Sequence, residues 1–135
     1  MEIKIEVNGT LTEAELVDLY SSNSWSSAEK PKQLLAAMKN SHTVVSAKVE
    51  GKLVGLGNSL SDGNLVVYYP HLLVNPDYQR MGIGSKIMQE MSKIYKGYHQ
   101  QILVADGKAI DFYKSAGFER AGKSEPMWIY SGTEH

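Results

Sequence analysis

Apolar and polar residues recur along the first third of the chain with periods that predict one strand and two helices. Residues 3–7 alternate in polarity, which is typical of a half-buried strand. Thr12 is followed three residues later by Glu15, a spacing typical of a capping box at the start of a helix. Pro31 suits the first turn of a second helix, which we expect over residues 32–39.

The middle of the chain is rich in β-branched residues and turn signals. Two β-rich runs meet at residues 50–52 (Glu-Gly-Lys), which predicts a hairpin. A third run starts after the Asp-Gly-Asn turn of residues 62–64 and continues to Val74. Pro70 interrupts this run. Because proline cannot donate a hydrogen bond to a sheet, it marks an edge, a bulge or a break.

The period changes to that of a helix at Ile83, and Gly97 is positioned to end this helix. Residues 101–105 (QILVA) then predict a short buried strand. Asp106 follows it and can cap a further helix over about residues 108–116.

Residues 127–130 (MWIY) complete the pattern as a predicted last strand. The order of elements is therefore β-α-α-β-β-β-α-β-α-β, which indicates an α/β domain with a mixed central sheet flanked by helices. The chain has 135 residues, a normal size for one domain. No repeat or linker divides it, so we expect a single domain over residues 1–135.

The composition narrows the class of protein. The formal net charge is −1, whereas a nucleic-acid-binding protein normally carries a basic excess, so we expect no nucleic-acid partner. Cysteine is absent and the four histidines show no ligand spacing, so we expect no metal site. No apolar run approaches the length of a membrane span, and the N-terminus lacks a signal-peptide pattern. We therefore expect a cytoplasmic protein with no membrane partner.

Two glycines stand one residue apart between the run that ends at Val74 and the next helical pattern, in NPDYQRMGIGSK. A strand, a glycine loop and a helix form an anion-binding geometry, because the first N–H groups of the helix point at the ligand. A Rossmann fingerprint would need glycine where Ile87 stands, and a P-loop would need Gly-Lys-Ser/Thr, which is lacking. The pattern that remains is Gln/Arg-x-x-Gly-x-Gly, met by Gln79, Gly82 and Gly84.

This loop, within VNPDYQRMGIGSKIMQEM, and a second segment, VADGKAIDFYKSAGF, together resemble the GNAT family, the Gcn5-related N-acetyltransferases. The family's second motif, Asn-x-x-Ala-x-x-Phe-Tyr-x-x-x-Gly-Phe, is matched by Ala109, Phe112, Tyr113, Gly117 and Phe118. SSNSWSS, KNSHTVVSAKVEGKLVGLGNSLSDG and DFYKSAGF also resemble the branch of plastid arylalkylamine (serotonin) N-acetyltransferases and their bacterial relatives. The resemblance covers the whole chain and implies the GNAT fold.

The resemblance implies acetyl-CoA as co-substrate, with its pyrophosphate on the loop and its pantetheine arm along the preceding strand. A backbone N–H near Leu73 would then polarise the acetyl carbonyl. Asp106 replaces the family's asparagine, and an ionised aspartate cannot donate that hydrogen bond, so capping a helix is its alternative role. The implied cofactor-binding residues are Leu72, Leu73, Val74, Gln79, Arg80, Met81, Gly82, Ile83, Gly84, Ser85, Asp106 and Phe112.

The resemblance also implies the catalytic residues. Tyr113 matches the tyrosine that protonates the departing thiolate in many family members, with core packing as its alternative role. His71 stands where related sequences tend to have an acidic residue, and an imidazole can accept the amine's proton directly or through water. Other candidates for this base are Tyr68, Tyr69 and Asp62.

On the acceptor side, the resemblance implies substrate-binding roles for Trp25, Tyr20 and Tyr69, with core or surface packing as the alternative for Trp25. The function we expect is transfer of the acetyl group of acetyl-CoA to a primary amine of a small molecule. The alternatives are acetylation of a protein N-terminus or lysine, and a non-catalytic acetyl-CoA sensor or interaction module. The resemblance also implies that two copies of the chain could form a homodimer.

Overall fold

The structure is a computed structural model that describes residues 2–133. Within that range it has six strands and four α-helices in a single α/β arrangement. Two short 3-10 helices, Ser26–Glu29 and Pro76–Tyr78, connect some of them. The elements are β1 Ile3–Val7, α1 Glu13–Ser22, α2 Pro31–Asn40, β2 Thr43–Val49, β3 Lys52–Ser61, β4 Val66–Tyr69, β5 Leu72–Val74, α3 Ile83–Ile94, β6 Gln100–Leu103 and α4 Ala109–Ser115.

The strands form one mixed sheet in the order β1-β2-β3-β4-β6, with β5 also paired to β3. Only β4 and β6 pair in parallel, and the other pairs are antiparallel. The predicted mixed sheet flanked by helices is therefore confirmed. The predicted capping box is also present, since the Glu15 N–H donates to Thr12 Oγ1 and the Thr12 N–H donates to Glu15 Oε1.

Helices cover the two faces of the sheet with separate apolar cores. On one face, α1 and α2 bury Leu16, Leu19 and Leu34 against β2, β3 and β5. On the other face, α3 buries Ile83 and Ile87. A side chain at Gly55 or Gly57 of β3 would collide with these two isoleucines, since an added Cβ would lie 2.7 or 2.9 Å from their methyl groups. The glycines therefore let α3 pack close to the sheet.

Helix α4 ends in a Schellman motif, which fixes the position of its tyrosine. Gly117 has a φ of +98°, and its N–H donates to the Lys114 carbonyl. The Phe118 N–H donates to the Tyr113 carbonyl at 3.0 Å, and the two aromatic rings pack edge to face. The predicted end of this helix at Gly117 is confirmed.

The prediction that Asp106 caps α4 is wrong. No side chain caps this helix, and the residue at the N-cap position is Lys108. The backbone carbonyl of Asp106, rather than its carboxylate, accepts the Ala109 N–H at 3.0 Å. The chain enters the helix through a tight turn, so a main-chain oxygen already occupies the position that a capping side chain would take.

The predicted last strand over residues 127–130 is also wrong. This segment is outside every strand of the sheet, and its four side chains are exposed. Strand propensity produces a strand only where a neighbouring strand offers a hydrogen-bond ladder, and in residues 2–133 this segment joins no ladder of the sheet. Separately, none of the helices in residues 2–133 is long and apolar enough to cross a bilayer.

Candidate active site

The predicted break at Pro70 opens a gap in the sheet. Before it, β4 pairs in parallel with β6 as far as Tyr69 and Leu103. After it, the described part of β5 pairs with β3 alone. One edge of β5 therefore borders a gap where the ladder between β4 and β6 has ended.

The backbone of β5 presents alternate residues to this gap. The Asn58 N–H donates to the His71 carbonyl at 3.1 Å, which sets the phase of the ladder between β3 and β5. Because hydrogen-bonded pairs alternate along an antiparallel ladder, Leu73 bonds to β3. Leu72 and Val74 consequently turn their N–H groups toward the gap. The expected amide near Leu73 is therefore that of one of its two neighbours.

The loop after β5 is held to the end of that strand. The Gln79 side-chain amide donates to the Val74 carbonyl at 3.3 Å, on the gap side of the strand. Arg80 has a φ of +65° and Gly82 a φ of +79°, so the loop turns twice through the left-handed region. Arg80 is not a glycine, and this conformation costs it on the order of 1–3 kcal/mol. The surrounding structure stabilises this tight loop against that cost.

The loop delivers the chain into α3 with an uncapped N-terminus. Gly82 is the N-cap residue and no side chain bonds to the first-turn N–H groups. Arg80, Ser85 and Lys86 around it are exposed. Unbonded N–H groups, a helix dipole and nearby positive charge suit an anionic diphosphate. The side chains of Ile83 and Met81 pack against the core, so these two residues can offer backbone groups only.

Glycine is needed at the two positions of the motif for different physical reasons. A Cβ on Gly82 would meet nothing within 4 Å, so glycine is required there by its positive φ and leaves open space beside the loop. A Cβ on Gly84 would lie 3.3 Å from the ring of Phe112. Gly84 therefore allows α4 to pack against the start of α3, and Phe112 supports the loop from behind.

Three aromatic rings meet at the break between β4 and β5. The ring centroids of Tyr20, Trp25 and His71 lie 5.3 to 5.6 Å apart in edge-to-face arrangements. Tyr20 belongs to α1 and Trp25 follows that helix, and the structure places both rings beside that of His71. The break at Pro70 turns His71 toward α1, whereas Tyr69 faces α3.

Tyr20 lies behind His71. Its hydroxyl is 2.8 Å from His71 Nδ1, and its side chain is fully buried. Burial raises the pKa of the Tyr20 phenol, so the hydroxyl keeps its proton. The hydroxyl pairs with His71 Nδ1, and we infer that it is the donor of this bond. A neutral ring that accepts at Nδ1 carries its own proton on Nε2.

Tyr113 lies on α4 between two other aromatic side chains. Its ring centroid is 5.1 Å from that of Phe112 and 5.8 Å from that of Phe118. Burial raises the pKa of the Tyr113 phenol above its ordinary value, which favours the protonated form. Within the described range its hydroxyl makes no hydrogen bond, whereas the buried hydroxyls of Tyr20 and Tyr69 both do.

The other residues considered for proton transfer have three different environments. Tyr69 is buried in the α3 core, its hydroxyl donates to Gln101 Oε1 at 2.6 Å, and burial raises its pKa. Tyr69 therefore packs on the opposite face of the sheet from Tyr20, and its acceptor role stays a prediction. The Asp62 carboxylate accepts backbone N–H groups from Asn64 and the next two residues, and these bonds lower its pKa. Tyr68 is partly exposed on the opposite sheet face from Tyr69.

Sequence reasoning missed two asparagines that shape this region. Asn58 is buried in β3, and its Oδ1 accepts the His71 N–H at 3.0 Å, which holds the break between the strands. A polar amide within an apolar strand was the available signal, since buried polar groups need partners. Asn23, after α1, donates to the Val74 carbonyl at 3.2 Å, and no sequence pattern indicated that contact. Across residues 2–133, no cluster of three or more His, Asp or Glu is arranged to hold a metal ion.

Comparison with known proteins agrees with this geometry. The family model for the acetyltransferase (GNAT) domain matches residues 9–127. The fold is similar to that of a GNAT family acetyltransferase from Streptococcus pneumoniae, with a TM-score of 0.81 and 28% identity over 96% of this chain and 98% of that one. It is also similar to an aminoglycoside acetyltransferase from an uncultured soil metagenomic sample, solved with sisomicin, with a TM-score of 0.67 and 26% identity over 97% of both chains.

A curated relative is similar over part of its length. The chain is 27% identical over 100 residues to a protein of Glycine max named histone acetyltransferase TAP1. That match covers 64% of this chain and 43% of the relative. The family model, by contrast, spans most of the chain, including the glycine loop and α4. The chain belongs to the GNAT family of acetyltransferases.

Proposed function

We propose that this protein transfers the acetyl group of acetyl-CoA to a primary amine of a small molecule. The observation that carries the proposal is that two different candidate binding sites adjoin the two ends of β5. The aromatic group of Tyr20, Trp25 and His71 adjoins its start, and the exposed glycine loop and uncapped helix follow its end. The open edge of the strand joins an acceptor side to an anion-binding side.

The anion-binding side suits the diphosphate of acetyl-CoA. The first-turn N–H groups of α3 bind it, with Arg80 adding positive charge and Ser85 a hydroxyl. The N–H groups of Leu72 and Val74 bind the thioester arm along the gap, and one of them polarises the acetyl carbonyl. Phe112 supports the loop, and Asp106 stays a predicted contact of the cofactor.

The chemical step is a direct transfer. The amine nitrogen forms a bond to the acetyl carbon, and the bond from that carbon to sulfur breaks. The departing thiolate takes a proton from the hydroxyl of Tyr113, and the nitrogen gives up a proton to water. The raised pKa of Tyr113 keeps the phenol protonated at neutral pH, as an acid requires.

His71 receives a different role from the base that the family resemblance implied. Its neutral ring accepts the Tyr20 hydroxyl at Nδ1 and so carries hydrogen on Nε2, and an N–H group cannot accept a proton. We assign His71, with Trp25, to holding the amine near the gap. Tyr20 is a positioning residue, since its fully buried side chain orients the imidazole and has no surface for substrate.

The aromatic group favours a compact amine as acceptor. Aromatic faces attract an ammonium group and apolar chains alike, and the rings of Trp25 and His71 beside the start of β5 offer such faces. The aminoglycoside acetyltransferase named above was solved in complex with sisomicin, which supports a small-molecule acceptor rather than a protein. An arylalkylamine, as for the plastid and bacterial branch, or a polyamine is the acceptor we expect.

A protein acceptor is the second candidate, because the relative from Glycine max is named a histone acetyltransferase. A lysine or N-terminus on a protein needs an open groove rather than a small aromatic site. A sensor without catalysis is the third candidate, and it shares the acetyl-CoA site with the enzyme. A cytoplasmic location remains a prediction for all three.

Thiol release from acetyl-CoA, measured with a panel of arylalkylamines, polyamines, aminoglycosides and lysine peptides, tests the proposal. Acetyl-CoA binding is measured in parallel by calorimetry. Turnover confined to one or more small amines supports it, and turnover confined to peptides transfers the assignment to the second candidate. Binding without turnover on any amine supports the sensor and contradicts the proposal.

A further inference from the structure

Asn23 follows α1 and reaches the strand that borders the gap. Its side-chain nitrogen, Nδ2, donates to the Val74 carbonyl at 3.2 Å, to the Leu19 carbonyl at 3.4 Å and to Ser22 Oγ at 3.3 Å. Two of these three acceptors are carbonyl oxygens, which can accept hydrogen bonds but cannot donate them. The nitrogen of the amide must therefore face them, and this determines which way round the amide group lies.

This orientation leaves the oxygen of the amide, Oδ1, for a ligand. Within residues 2–133, Oδ1 of Asn23 accepts no hydrogen bond, although the side chain is half-buried. The bonds to the nitrogen hold the whole group in place, so the oxygen loses little freedom when it binds a ligand. An amide oxygen is an uncharged acceptor. It therefore suits an uncharged ligand group that donates an N–H or O–H.

The Val74 carbonyl places this amide at the gap. Val74 turns its backbone polar groups away from β3, as the phase of the ladder between β3 and β5 requires. The same carbonyl accepts from the side chain of Gln79, in the glycine loop, at 3.3 Å. The amide of Asn23 therefore lies at the end of β5 that leads into the loop, whereas His71 precedes the start of that strand.

We propose that Asn23 binds the thioester arm of acetyl-CoA, with Oδ1 accepting one of the amide N–H groups of the arm. This inference rests on the proposed function, which places the arm along the edge of β5. The arm carries secondary amides between its diphosphate and its sulfur, so an uncharged N–H donor passes the end of the strand. The N–H groups of Leu72 and Val74 bind oxygens of the arm, and Asn23 adds an acceptor for its nitrogen. The acceptor amine is a less suitable ligand for Asn23, because His71 and its aromatic neighbours adjoin the other end of the strand.

Calorimetry of the full chain with acetyl-CoA and with ADP tests this contact. ADP has a diphosphate but no thioester arm. Asn23→Ala is expected to weaken acetyl-CoA binding roughly 3- to 10-fold, the effect of one hydrogen bond between neutral groups, and to leave ADP binding unchanged. Asn40→Ala is the matched control, because Nδ2 of Asn40 also donates to a main-chain carbonyl near the end of a helix, that of Ala36 at 2.8 Å. This control is expected to bind acetyl-CoA as tightly as the wild-type chain does.

A change in the ligand separates binding from a structural role. In two analogues of acetyl-CoA, an ester oxygen replaces one or the other amide N–H of the arm. One analogue is expected to bind the wild-type chain roughly 3- to 10-fold more weakly than acetyl-CoA does. With Asn23→Ala the same analogue is expected to lose nothing further, because the acceptor is already gone. Asn23→Ser is measured in parallel, since serine can still donate to the Leu19 carbonyl but is too short to reach Val74.

The results distinguish this inference from the proposed function. Unchanged acetyl-CoA affinity in the folded Asn23 variants overturns the inference. An equal loss from both ester analogues in the wild-type chain and in the variants also overturns it, and leaves Asn23 a structural residue only. In both cases acetyl-CoA still binds, so the proposed function stands. A wild-type chain that does not bind acetyl-CoA overturns the inference and the proposed function together.

Discussion

The hydroxyl of Tyr20 and Nδ1 of His71 lie 2.8 Å apart, within hydrogen-bond distance. We infer that the protonated hydroxyl is the donor, which leaves the ring proton on Nε2. The hydroxyl is buried and needs an acceptor, which His71 supplies. The sequence suggested His71 as a base. With this contact, its neutral imidazole ring is a hydrogen-bond donor at Nε2. The contact links α1 to the break between β4 and β5.

Tyr20→Phe tests this assignment of the proton. We expect nitrogen NMR of the wild-type chain to show neutral His71 protonated on Nε2. The variant is expected to show a mixture of tautomers, and its maximal rate to fall several-fold because the imidazole is less well oriented. Tyr98→Phe is the control, since the described structure shows no hydrogen bond to that hydroxyl. A wild-type ring protonated on Nδ1 would contradict the account.

His71→Gln tests whether His71 is a base. Because an N–H cannot take the amine's proton, we expect the acidic limb of the rate profile to persist in the variant. That limb then reports protonation of the amine substrate itself. The maximal rate is expected to fall while acetyl-CoA affinity is unchanged. The measurement is the rate across pH with two amines of different pKa. An acidic limb that vanishes on substitution would restore the base role.

Gly82→Val tests the anion-binding loop. Valine is disfavoured at a φ of +79°, so the loop is expected to rearrange and the acetyl-CoA dissociation constant to rise on the order of tenfold or more. Gly51→Val is a matched control, because Gly51 has a φ of +81° with open space around it but lies in the hairpin between β2 and β3. Calorimetry measures both. Equal acetyl-CoA affinity in the two folded variants would remove the loop from the site.

Tyr113→Phe removes one hydroxyl and keeps the ring that packs on Phe118. We expect the rate at saturating substrates to fall roughly 10²-fold with little change in acetyl-CoA affinity. The pKa of Tyr113 is raised, so its acid form is present below that pKa and is lost only as pH rises through it. Wild-type activity is therefore expected to show no loss from this group up to about pH 10. Full turnover in the folded variant would limit Tyr113 to packing.

Local rules predicted much of the fold and part of the site. The capping box of Thr12 and Glu15, the end of α4 at Gly117 and the break at Pro70 depend on neighbouring residues, so sequence was sufficient for them. The prediction that the Asp106 side chain caps α4 was wrong, because a backbone carbonyl took the position expected of that side chain.

Sequence patterns did not predict contacts between residues that are far apart in the chain. The contact between Tyr20 and His71 spans 51 positions, and it is the basis of the role that we propose for the histidine. Residues 127–130 belong to no strand of the described sheet, although their sequence has strand propensity. Sequence periodicity indicates which secondary structure a segment can form, whereas the segments packed against it determine which one it forms.

The most direct test of the proposed function is the identity of the acetylated product. Purified protein with saturating acetyl-CoA is given an equimolar mixture of a small arylalkylamine, a polyamine, a lysine peptide and a peptide with an unblocked N-terminus. Mass spectrometry then shows which component gains an acetyl group. We predict that a small amine gains it, and that Tyr113→Phe slows its formation roughly 10²-fold. Acetyl groups found on the peptides alone, or on no component while acetyl-CoA binds, would contradict the account.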